Sequence, residues 1–592
     1  MLFKNATEIK SNSIFNLHQE TTLRKILPWA ILACIAILLF SHSFEKWGDP
    51  IIDLGRDLYV PGRLLSGDLL YRNVLYNYGP VTPYLLSAIV AVTGDSLVVF
   101  SLVGILTGVS VLAALYCLGR LVGDEWTAFW SMLFFLVLSM FAWSTWGCDF
   151  VLPYSYAAIF SISFALWALF YLLRFQFYGC SRTDWWLSVG FLFAALGTKS
   201  EVGFAILIVH LVAAVLHSRT LKSIPQILGI GFLLGGFFVY LFYARNAGEH
   251  ALIHENLGRF WHNNSASDFF AKVSGADCLP AGFFMQLKAL GKITLLISIV
   301  VLFGGRSSMQ LKGRFWQVVV EALAAAVYAI LLWKWADSSL FAALPVIALL
   351  VFIYGVLCER RGVLTLLSLF VVSLSPRIFF NYSPNWYGFY LVVPSYIFIA
   401  YLFCHRFRQM SIYPRHVAYS FALIAVAILL RFGINSWDAY GNMTSLIETP
   451  KGRMYDFPTG RAEALNAFFK YVYDKRLLAG STVVVFPEGI SLNYFTGLKL
   501  PIDHYNFIPP EIDSPEEEHT VLAELQANKP DYIIILSREM GEFASLGFGV
   551  DYACNLSDWD FENYHLIKVF SGSVKPLWNI SLLQKNFSLS KD

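Results

Sequence analysis

Apolar runs separated by short polar segments cover most of this chain, from about residue 26 to about residue 434. Most of these runs approach the roughly 20 residues that a helix needs to cross about 30 Å of hydrocarbon. The pattern therefore predicts a mainly α, polytopic helical membrane protein with about 13 transmembrane helices. A further apolar segment, 80–94, is short enough for a re-entrant or interfacial helix, or for the start of the next span. The predicted spans lie at about 26–42, 96–119, 127–143, 155–173, 185–198, 202–217, 225–243, 289–304, 316–333, 339–357, 363–375, 387–404 and 416–434.

The overall composition supports a membrane protein and argues against an ordinary soluble one. Hydrophobic residues make up 57% of the 592 positions, charged residues make up 14%, and the mean hydropathy is +0.57. A typical soluble domain is about 45–50% apolar and about 25% charged. The net charge of +2 provides no strong field for a polyanion, so we expect a lipid bilayer and no nucleic acid among the partners.

Lysine and arginine residues are distributed unevenly among the predicted loops. Such residues favour the cytoplasmic side of a membrane, and placing the N-terminus in the cytoplasm makes charged loops alternate with uncharged short ones. An odd number of spans then places the C-terminal segment on the extracytoplasmic side. The basic residues on the predicted cytoplasmic side are Arg120, Arg174, Arg182, Arg219, Lys222, Arg306, Lys312, Arg314, Arg360, Arg361, Arg406, Arg408 and Arg415.

Beyond residue 434 the long apolar runs give way to alternating helical and extended patterns. We therefore divide the chain into a membrane domain, 1–434, and a small extracytoplasmic α/β domain, 435–592. The second domain contains neither a GxGxxG nor a Walker motif, and its polar tail after about residue 578 is expected to be loose. The pattern predicts helices at 461–477 and 516–528, a helix start near 489, and strands at 481–487, 531–537 and 564–570.

Three regions on the predicted extracytoplasmic side combine aromatic with charged or polar residues. They are 43–95, 244–288 and 376–386, and this composition is more typical of functional loops than of linkers. The first region carries the densest group of charges, and its residues 56–66 read as a short amphipathic helix that ends at Gly67. A solvated helix lying on the membrane surface accounts equally well for this pattern.

The charged stretch of the first region follows the order of a known family motif. It resembles the first extracytoplasmic loop of GT-C glycosyltransferases, in the bacterial branch of protein O-mannosyltransferase-like and lipid A aminoarabinose transferase-like enzymes. Leu54 and Asn73 stand where those loops commonly carry acidic residues. The matching segments are Asp53-Leu-Gly-Arg-Asp-Leu-Tyr59, Leu65-Ser-Gly67 and Leu70-Tyr-Arg72-Asn73.

The resemblance extends beyond this loop and implies a reaction. Three further features are also similar to this family: the turn at Thr198-Lys199-Ser200-Glu201, Arg377 before a late span, and short segments of the C-terminal domain. The resemblance implies an enzyme of the bacterial inner membrane that moves a sugar from a polyprenyl-phosphate carrier to an acceptor hydroxyl, usually with inversion. The transfer would take place on the extracytoplasmic face, and the acceptor would be a glycan, a lipid or a protein.

This chemistry needs a base and a set of cations. An attacking hydroxyl loses its proton to a base, and the resemblance assigns that role to Asp53, whose alternative role is that of a helix N-cap. A departing phosphate is stabilised by cations, for which we select Arg56, Lys199 and Arg377. An ion pair with Glu201 is the alternative for Lys199, and an ordinary interface anchor is the alternative for Arg377.

Further residues are candidates for a second acidic group or for contact with the acceptor. Asp57, Asp149 and Glu201 belong to this group, although Asp57 fits an exposed helix charge and Asp149 fits a capping residue at least as well. Glu488 follows a predicted strand, where a plain turn is the simpler interpretation. The weaker candidates for the phosphate are Arg63, Arg72, Arg245 and Arg259.

Cofactor and disulfide signals are weak. His250 and His254 have the i, i+4 spacing of a helix face, but no third ligand is identifiable near them or near His262. We therefore assign no cofactor, and a divalent metal stays open because metal dependence varies in the family. Cys278 and Cys554 both lie on the predicted extracytoplasmic side, where a disulfide between them is an alternative to free thiols.

Other functions stay open at this stage. A glycan ligase or polymerase that uses a lipid-pyrophosphate donor would need a similar membrane-embedded site. A non-enzymatic lipid-glycan transporter would show repeat symmetry and broken central helices, and neither is visible in the sequence. A catalytically inactive glycan-binding scaffold is the third alternative.

Overall fold

The helices of the membrane-spanning part follow the hydrophobic pattern closely. Each predicted span within the described residues coincides with a helix, whereas the span predicted at 225–243 lies outside them except for residue 231. Among the described residues, six helices are long and apolar enough to cross a membrane, and other apolar helices are shorter, with 10–17 residues. The prediction of a polytopic helical membrane protein with a small C-terminal sheet is confirmed. The computed structural model describes residues 22–144, 147–179, 181–216, 231, 264–305, 314–359, 362–409, 415–475, 480–575 and 577–586.

The elements are numbered in chain order within these residues. The helix α5 continues as a π-helical turn through Met140. The helices are α1 (Thr22–Ser43), α2 (Leu54–Leu65), α3 (Val81–Thr93), α4 (Leu97–Val122), α5 (Glu125–Phe135), α6 (Tyr156–Phe177), α7 (Arg182–Leu196), α8 (Ser200–Leu216), α9 (Asn264–Ser274), α10 (Leu279–Gly305), α11 (Arg314–Trp335), α12 (Leu344–Tyr354), α13 (Val363–Leu374), α14 (Val393–Ala400), α15 (Arg415–Asn442), α16 (Arg461–Lys475), α17 (Ser491–Thr496), α18 (Pro515–Asn528) and α19 (Cys554–Asn563). The strands are β1 (Ser445–Thr449), β2 (Gly452–Asp456), β3 (Val483–Phe486), β4 (Tyr532–Leu536), β5 (Tyr564–Ser571) and β6 (Asn579–Lys585).

The C-terminal domain is built on a mixed sheet with the strand order β3-β4-β6-β5. The pair β3/β4 is parallel, as expected when a helix connects two strands, whereas β6 runs antiparallel to both of its neighbours. The predicted helices and strands of this domain are present. The hairpin of β1 and β2, which precedes the sheet, is not anticipated by the sequence pattern.

The expectation of a loose tail after residue 578 is wrong for residues 579–585, and residues 587–592 lie outside the described residues. Residues 579–585 form β6, which lies between β4 and β5 and is therefore an interior strand of the sheet. Its side chains Ile580, Leu582 and Leu583 are buried. Burial of these three apolar side chains, together with ladder hydrogen bonds on both sides, accounts for the order of a segment that looks polar by composition.

The two cysteines considered for a disulfide do not form one. Cys278 and Cys554 are both free thiols, and both are exposed. The alternative of free thiols is therefore the correct one for this pair.

The helix α2 is packed between the membrane helices and the C-terminal domain. Its residues from Leu54 to Leu58 are buried, and so is Val60. Residues of the first loop share a hydrophobic core with side chains of the C-terminal domain, among them Phe486 and Phe507. The alternative of a solvated helix on the membrane surface is therefore wrong, because its charged residues Arg56 and Asp57 are buried against the membrane domain, where they contact Tyr154 and Tyr156.

Gly55 is the closest point between α2 and the C-terminal domain. A Cβ atom added at Gly55 would lie 2.4 Å from the Ser491 backbone nitrogen, at the start of α17. We expect Gly55→Ala to lower the free energy of unfolding by about 1–3 kcal/mol, since overpacking forces two backbones apart. Thermal unfolding of the purified protein in detergent would measure this change.

Gly62→Ala is the matched control for this substitution. It lies on the same helix, and an added Cβ at Gly62 meets no atom within 4 Å. It should leave stability unchanged or raise it by up to about 1 kcal/mol, because alanine favours a helix over glycine. Equal unfolding temperatures for the two variants would contradict the close approach at Gly55.

Candidate active site

Asp53 precedes α2 in a strained backbone conformation. Its φ is 60° and its ψ is −50°. The Leu54 N–H donates to the Ile52 carbonyl oxygen at 2.6 Å, which closes a γ-turn of the rarer, positive-φ form around Asp53. Such a conformation at a non-glycine residue costs on the order of 1–3 kcal/mol and is found most often at functional sites. The Asp53 side chain makes no capping hydrogen bond to α2, so the N-cap alternative is wrong for this carboxylate.

The surroundings of Asp53 adjust its acidity. Burial raises the pKa of the Asp53 carboxyl above its usual range, with the charge of Arg56 opposing this effect and that of Glu542 adding to it. Glu488 of the C-terminal domain accepts the Asp53 backbone N–H at 3.2 Å. Burial and then the charge of Asp53 raise the pKa of Glu488 to about 7. Because its pKa is raised, the Asp53 carboxylate is a stronger base than an ordinary aspartate.

Two of the predicted cations share one aromatic ring. The Arg56 guanidinium carbon lies 4.8 Å from the centre of the Tyr78 ring, and the Lys199 ammonium lies 4.0 Å from the same centre. Both side chains are buried. Arg56 also donates to the Tyr154 carbonyl oxygen at 3.2 Å. Cation–π contact partly compensates the loss of water around both charges and keeps them close together.

The third predicted cation joins this group through Glu201. Arg377 Nη1 and Glu201 Oε1 are 2.6 Å apart, and the Lys199 ammonium lies 3.6 Å from the same oxygen. The Tyr390 hydroxyl donates to this oxygen at 2.8 Å. The alternative of a Lys199–Glu201 ion pair is therefore present, and it holds Lys199 next to Arg377. Glu201 is engaged as a counter-ion, and Arg377 is more than an interface anchor.

Each of the three cations keeps one buried nitrogen without a hydrogen-bond partner among the described residues. These atoms are Arg56 Nε, Lys199 Nζ and Arg377 Nε. A buried N–H that makes no hydrogen bond is costly, so it is usually satisfied by a ligand or by water. Together with the tyrosine rings that line it, this cluster has the donors and the charge that an anion such as a phosphate requires. We call the cations Arg56, Lys199 and Arg377 with their tyrosines the cation cluster.

The backbone places Tyr78 against the Lys199 turn. The Gly79 N–H donates to the Thr198 carbonyl oxygen at 3.1 Å, and the Val81 N–H donates to the Gly197 carbonyl oxygen at 3.0 Å. A Cβ atom at Gly79 would lie 2.2 Å from the Gly197 carbonyl oxygen. Glycine is therefore required at position 79 for the close approach that brings the Tyr78 ring over the ammonium.

Asp57 and Asp149 have structural contacts that explain their burial. Asp57 accepts the Tyr76 hydroxyl at 2.9 Å and the Tyr156 N–H at 2.7 Å, so it caps the N-terminus of α6. The expectation that Asp57 is an exposed helix charge is wrong. Asp149 Oδ1 accepts the N–H groups of Val151 and Leu152, which is the capping role considered for it, and burial raises its pKa to about 7.

The weaker candidates lie elsewhere. Arg63 pairs with Asp68 and donates to carbonyl oxygens of Asn73 and Leu500, and Arg72 is exposed. Among the described residues no group of at least three His, Cys, Asp or Glu side chains could hold a metal ion, so these residues do not fit one. The candidates Arg245, Arg259, His250, His254 and His262 lie outside the described residues.

Several residues of the site are not identified by the sequence pattern. Tyr154 and Tyr390 line the cation cluster, and Arg538 and Glu542 lie beside Glu488 on the C-terminal domain. Both tyrosines lie outside the three aromatic regions 43–95, 244–288 and 376–386, so the sequence pattern does not point to them. Nothing in the local sequence links Arg538 to Asp53.

No family model and no curated protein match this chain, but solved structures do. ArnT from Cupriavidus metallidurans bound to undecaprenyl phosphate is 12% identical over 97% of this chain and 100% of that chain, with a TM-score of 0.45. The oligosaccharyltransferase of Archaeoglobus fulgidus tethered with an acceptor peptide is 12% identical over 93% of this chain and 73% of that chain, with a TM-score of 0.48.

A third structure, AglB from Archaeoglobus fulgidus with an inhibitory peptide and a dolichol-phosphate, has a TM-score of 0.42 at 12% identity, covering 92% of this chain and 73% of that chain. At this identity and with TM-scores below 0.5, the matches assign no role to any residue. The roles proposed below rest on the geometry of the GT-C-like loop and of the cation cluster.

Proposed function

We propose that this protein is a membrane glycosyltransferase that moves a sugar from a polyprenyl-phosphate carrier to an acceptor hydroxyl. The observation that carries the proposal is the cation cluster, in which Arg56, Lys199 and Arg377 each keep a buried nitrogen free of hydrogen bonds within the described chain. Three fixed cations beside apolar helices suit a phosphate attached to a lipid tail. Asp53 precedes Arg56 by less than one helical turn and supplies the base.

Each group has a defined task in this reaction. Asp53 accepts the proton of the acceptor hydroxyl as its oxygen attacks the anomeric carbon, and the bond from that carbon to the phosphate oxygen breaks. The carrier phosphate leaves with an additional negative charge. Arg56, Lys199 and Arg377 stabilise that charge, and no acid is needed for a leaving group of this kind. Attack from the face opposite the phosphate inverts the anomeric configuration.

The proposal includes an orientation in the membrane. The N-terminus lies in the cytoplasm of a bacterial cell, and the loop 43–95 and the C-terminal domain lie outside. The alternation of basic residues among the loops supports this arrangement. The sugar would then be transferred at the outer surface of the inner membrane to a glycan, lipid or protein.

Binding and turnover of defined carriers test the proposed function. The purified full-length chain in lipid nanodiscs should bind undecaprenyl phosphate, measured by native mass spectrometry. It should release that carrier from one of a panel of synthetic undecaprenyl-phosphate hexoses and pentoses when an envelope extract supplies acceptors. Undecaprenyl-pyrophosphate sugars are the comparison. Turnover of the pyrophosphate donors alone would support a ligase or polymerase, and binding without any turnover would support a transporter or scaffold; either result would contradict the proposal.

A further inference from the structure

We propose that Glu488 of the C-terminal domain is a positioning residue for Asp53, so that this domain holds the base of the reaction in its reactive conformation. The inference rests on the proposed function and deepens it, because it gives the second domain a part in the chemistry. Four observations carry it: a direct contact to the Asp53 backbone, a support behind Glu488, a second clamp on the same loop, and the charges around the pair.

The direct contact is made at the strained residue itself. Glu488 Oε1 accepts the Asp53 N–H at 3.2 Å, across 435 positions of sequence. Asp53 has a φ of 60°, a conformation that persists only when surrounding contacts enforce it. Because the Asp53 carboxylate makes no capping bond of its own, the backbone contact is one of the forces that determine where this carboxylate lies.

Glu488 is itself held firmly. It is 7% exposed, and its second oxygen, Oε2, accepts a hydrogen bond from Arg538 Nε at 3.1 Å. Arg538 also pairs with Glu542 and donates to the Glu539 carbonyl oxygen. The Phe507 N–H donates to the Pro487 carbonyl oxygen, which ties the residue before Glu488 to the rest of the domain. A carboxylate fixed in this way can act as a rigid support.

A second clamp from the C-terminal domain holds the other end of the same segment. Asp49 Oδ1 accepts the N–H groups of Ile51 and Ile52, and Asp49 Oδ2 pairs with Arg461 of α16 at 2.8 Å. Residues 49–55 are therefore held at Asp49 by Arg461 and at Asp53 by Glu488. Gly55 then meets Ser491 directly. The path of the base through this segment is determined by side chains of the second domain.

The charges around Asp53 give this arrangement a measurable signature. Burial, and then the charge of Asp53, raise the pKa of Glu488 to about 7. Removal of the Asp53 charge should therefore lower the pKa of Glu488. The other charged or titratable groups that act on Asp53, or on which Asp53 acts, are Asp49, Arg56, Cys148, Tyr387, Arg538 and Glu542.

Two substitutions at Glu488 separate the hydrogen bond from the charge. Glu488→Ala removes the acceptor of the Asp53 N–H, and we expect kcat to fall about 10- to 100-fold while KM for the donor changes by less than about twofold. Glu488→Gln keeps an acceptor oxygen without the charge. It should retain more activity than the alanine variant, because the Asp53 N–H keeps an acceptor. Glu562→Ala, at an exposed residue of α19, is the matched control.

Two readouts without substrate make the inference independent of turnover. Hydrogen–deuterium exchange of peptides spanning residues 49–55 should be about tenfold faster in Glu488→Ala than in Glu562→Ala, because the Asp53 amide loses its partner. Carbodiimide labelling of Glu488, followed by mass spectrometry across pH, should show a lower midpoint in Asp53→Asn than in the wild-type protein, because the neighbouring charge is removed. Undecaprenyl phosphate should bind equally to all of these variants, since the cation cluster is intact.

The outcomes distinguish this inference from the proposed function. Unchanged exchange at 49–55 in Glu488→Ala, or an unchanged Glu488 labelling midpoint in Asp53→Asn, would overturn the positioning role even if the wild-type protein transfers sugar. Failure of the wild-type protein to turn over any polyprenyl-phosphate sugar would overturn the proposed function instead. In that case the exchange and labelling results would still decide whether Glu488 positions Asp53.

Discussion

Asp53→Asn should lower the rate of sugar transfer about 10²- to 10⁴-fold, the range that a positioned general base contributes. An amide has nearly the same shape as the carboxylate but cannot accept the proton of the acceptor hydroxyl. The variant should bind undecaprenyl phosphate as the wild-type protein does, because Arg56, Lys199 and Arg377 are unchanged. Initial rates with the preferred polyprenyl-phosphate sugar, together with native mass spectrometry of the bound carrier, would measure both effects.

Asp68→Asn is a suitable control for this experiment. Asp68 lies in the same loop and pairs with Arg63, which is not part of the cation cluster. It should keep the transfer rate within about twofold of the wild-type value, since surface ion pairs contribute little. If purified Asp53→Asn turned over at the wild-type rate, Asp53 would not be the base.

Lys199→Met should weaken binding of undecaprenyl phosphate and reduce transfer by about 10²- to 10³-fold, the effect of removing one buried donor from an anion site. Methionine is close to lysine in length and apolar volume, so the packing against Tyr78 should be retained. The positive charge that lies 4.0 Å from the Tyr78 ring is lost. Titration of the variant with undecaprenyl phosphate in nanodiscs would measure the change in Kd, and steady-state kinetics would measure the change in turnover.

Lys272→Met separates a site effect from a general loss of positive charge. Lys272 is an exposed residue of α9, the helix whose Phe270 ring lies 5.1 Å from the Arg377 guanidinium. The Lys272→Met variant should bind the carrier and transfer sugar as the wild-type protein does. If Lys199→Met bound the carrier with the same affinity as Lys272→Met, Lys199 would not be part of the phosphate site.

The sequence predicts the membrane-spanning helices well because their signal is local and strong. A run of apolar residues long enough to cross hydrocarbon has few other stable environments, so composition alone indicates a span. The first loop is also partly readable, since Asp53 and Arg56 are neighbours in sequence and belong to one motif. The same loop shows the limit of local patterns, because the polar face of α2 suggests water as its environment, whereas Arg56 and Asp57 are buried inside the protein.

Where the local sequence allows two interpretations, contacts with other segments decide between them. Asp57 resembles an exposed helix charge, yet it caps α6 through the Tyr156 N–H. The sequence after residue 578 looks polar, yet Ile580, Leu582 and Leu583 are buried in an interior strand. Tyr156 lies 99 positions from Asp57, and β4 is separated from β6 by α19 and β5. Neither hydropathy nor propensity predicts where these partners lie.

The sequence by itself determined the membrane-embedded architecture, the alternating elements of the C-terminal domain, and the identity of the three candidate cations. Only the tertiary structure decided that these cations meet around Tyr78 and Glu201, and that Glu488 lies against Asp53. The physical reason is the range of the interactions. Hydropathy and backbone propensity act between neighbours in sequence, whereas an ion pair or a shared ring depends on how separate helices and the sheet pack together.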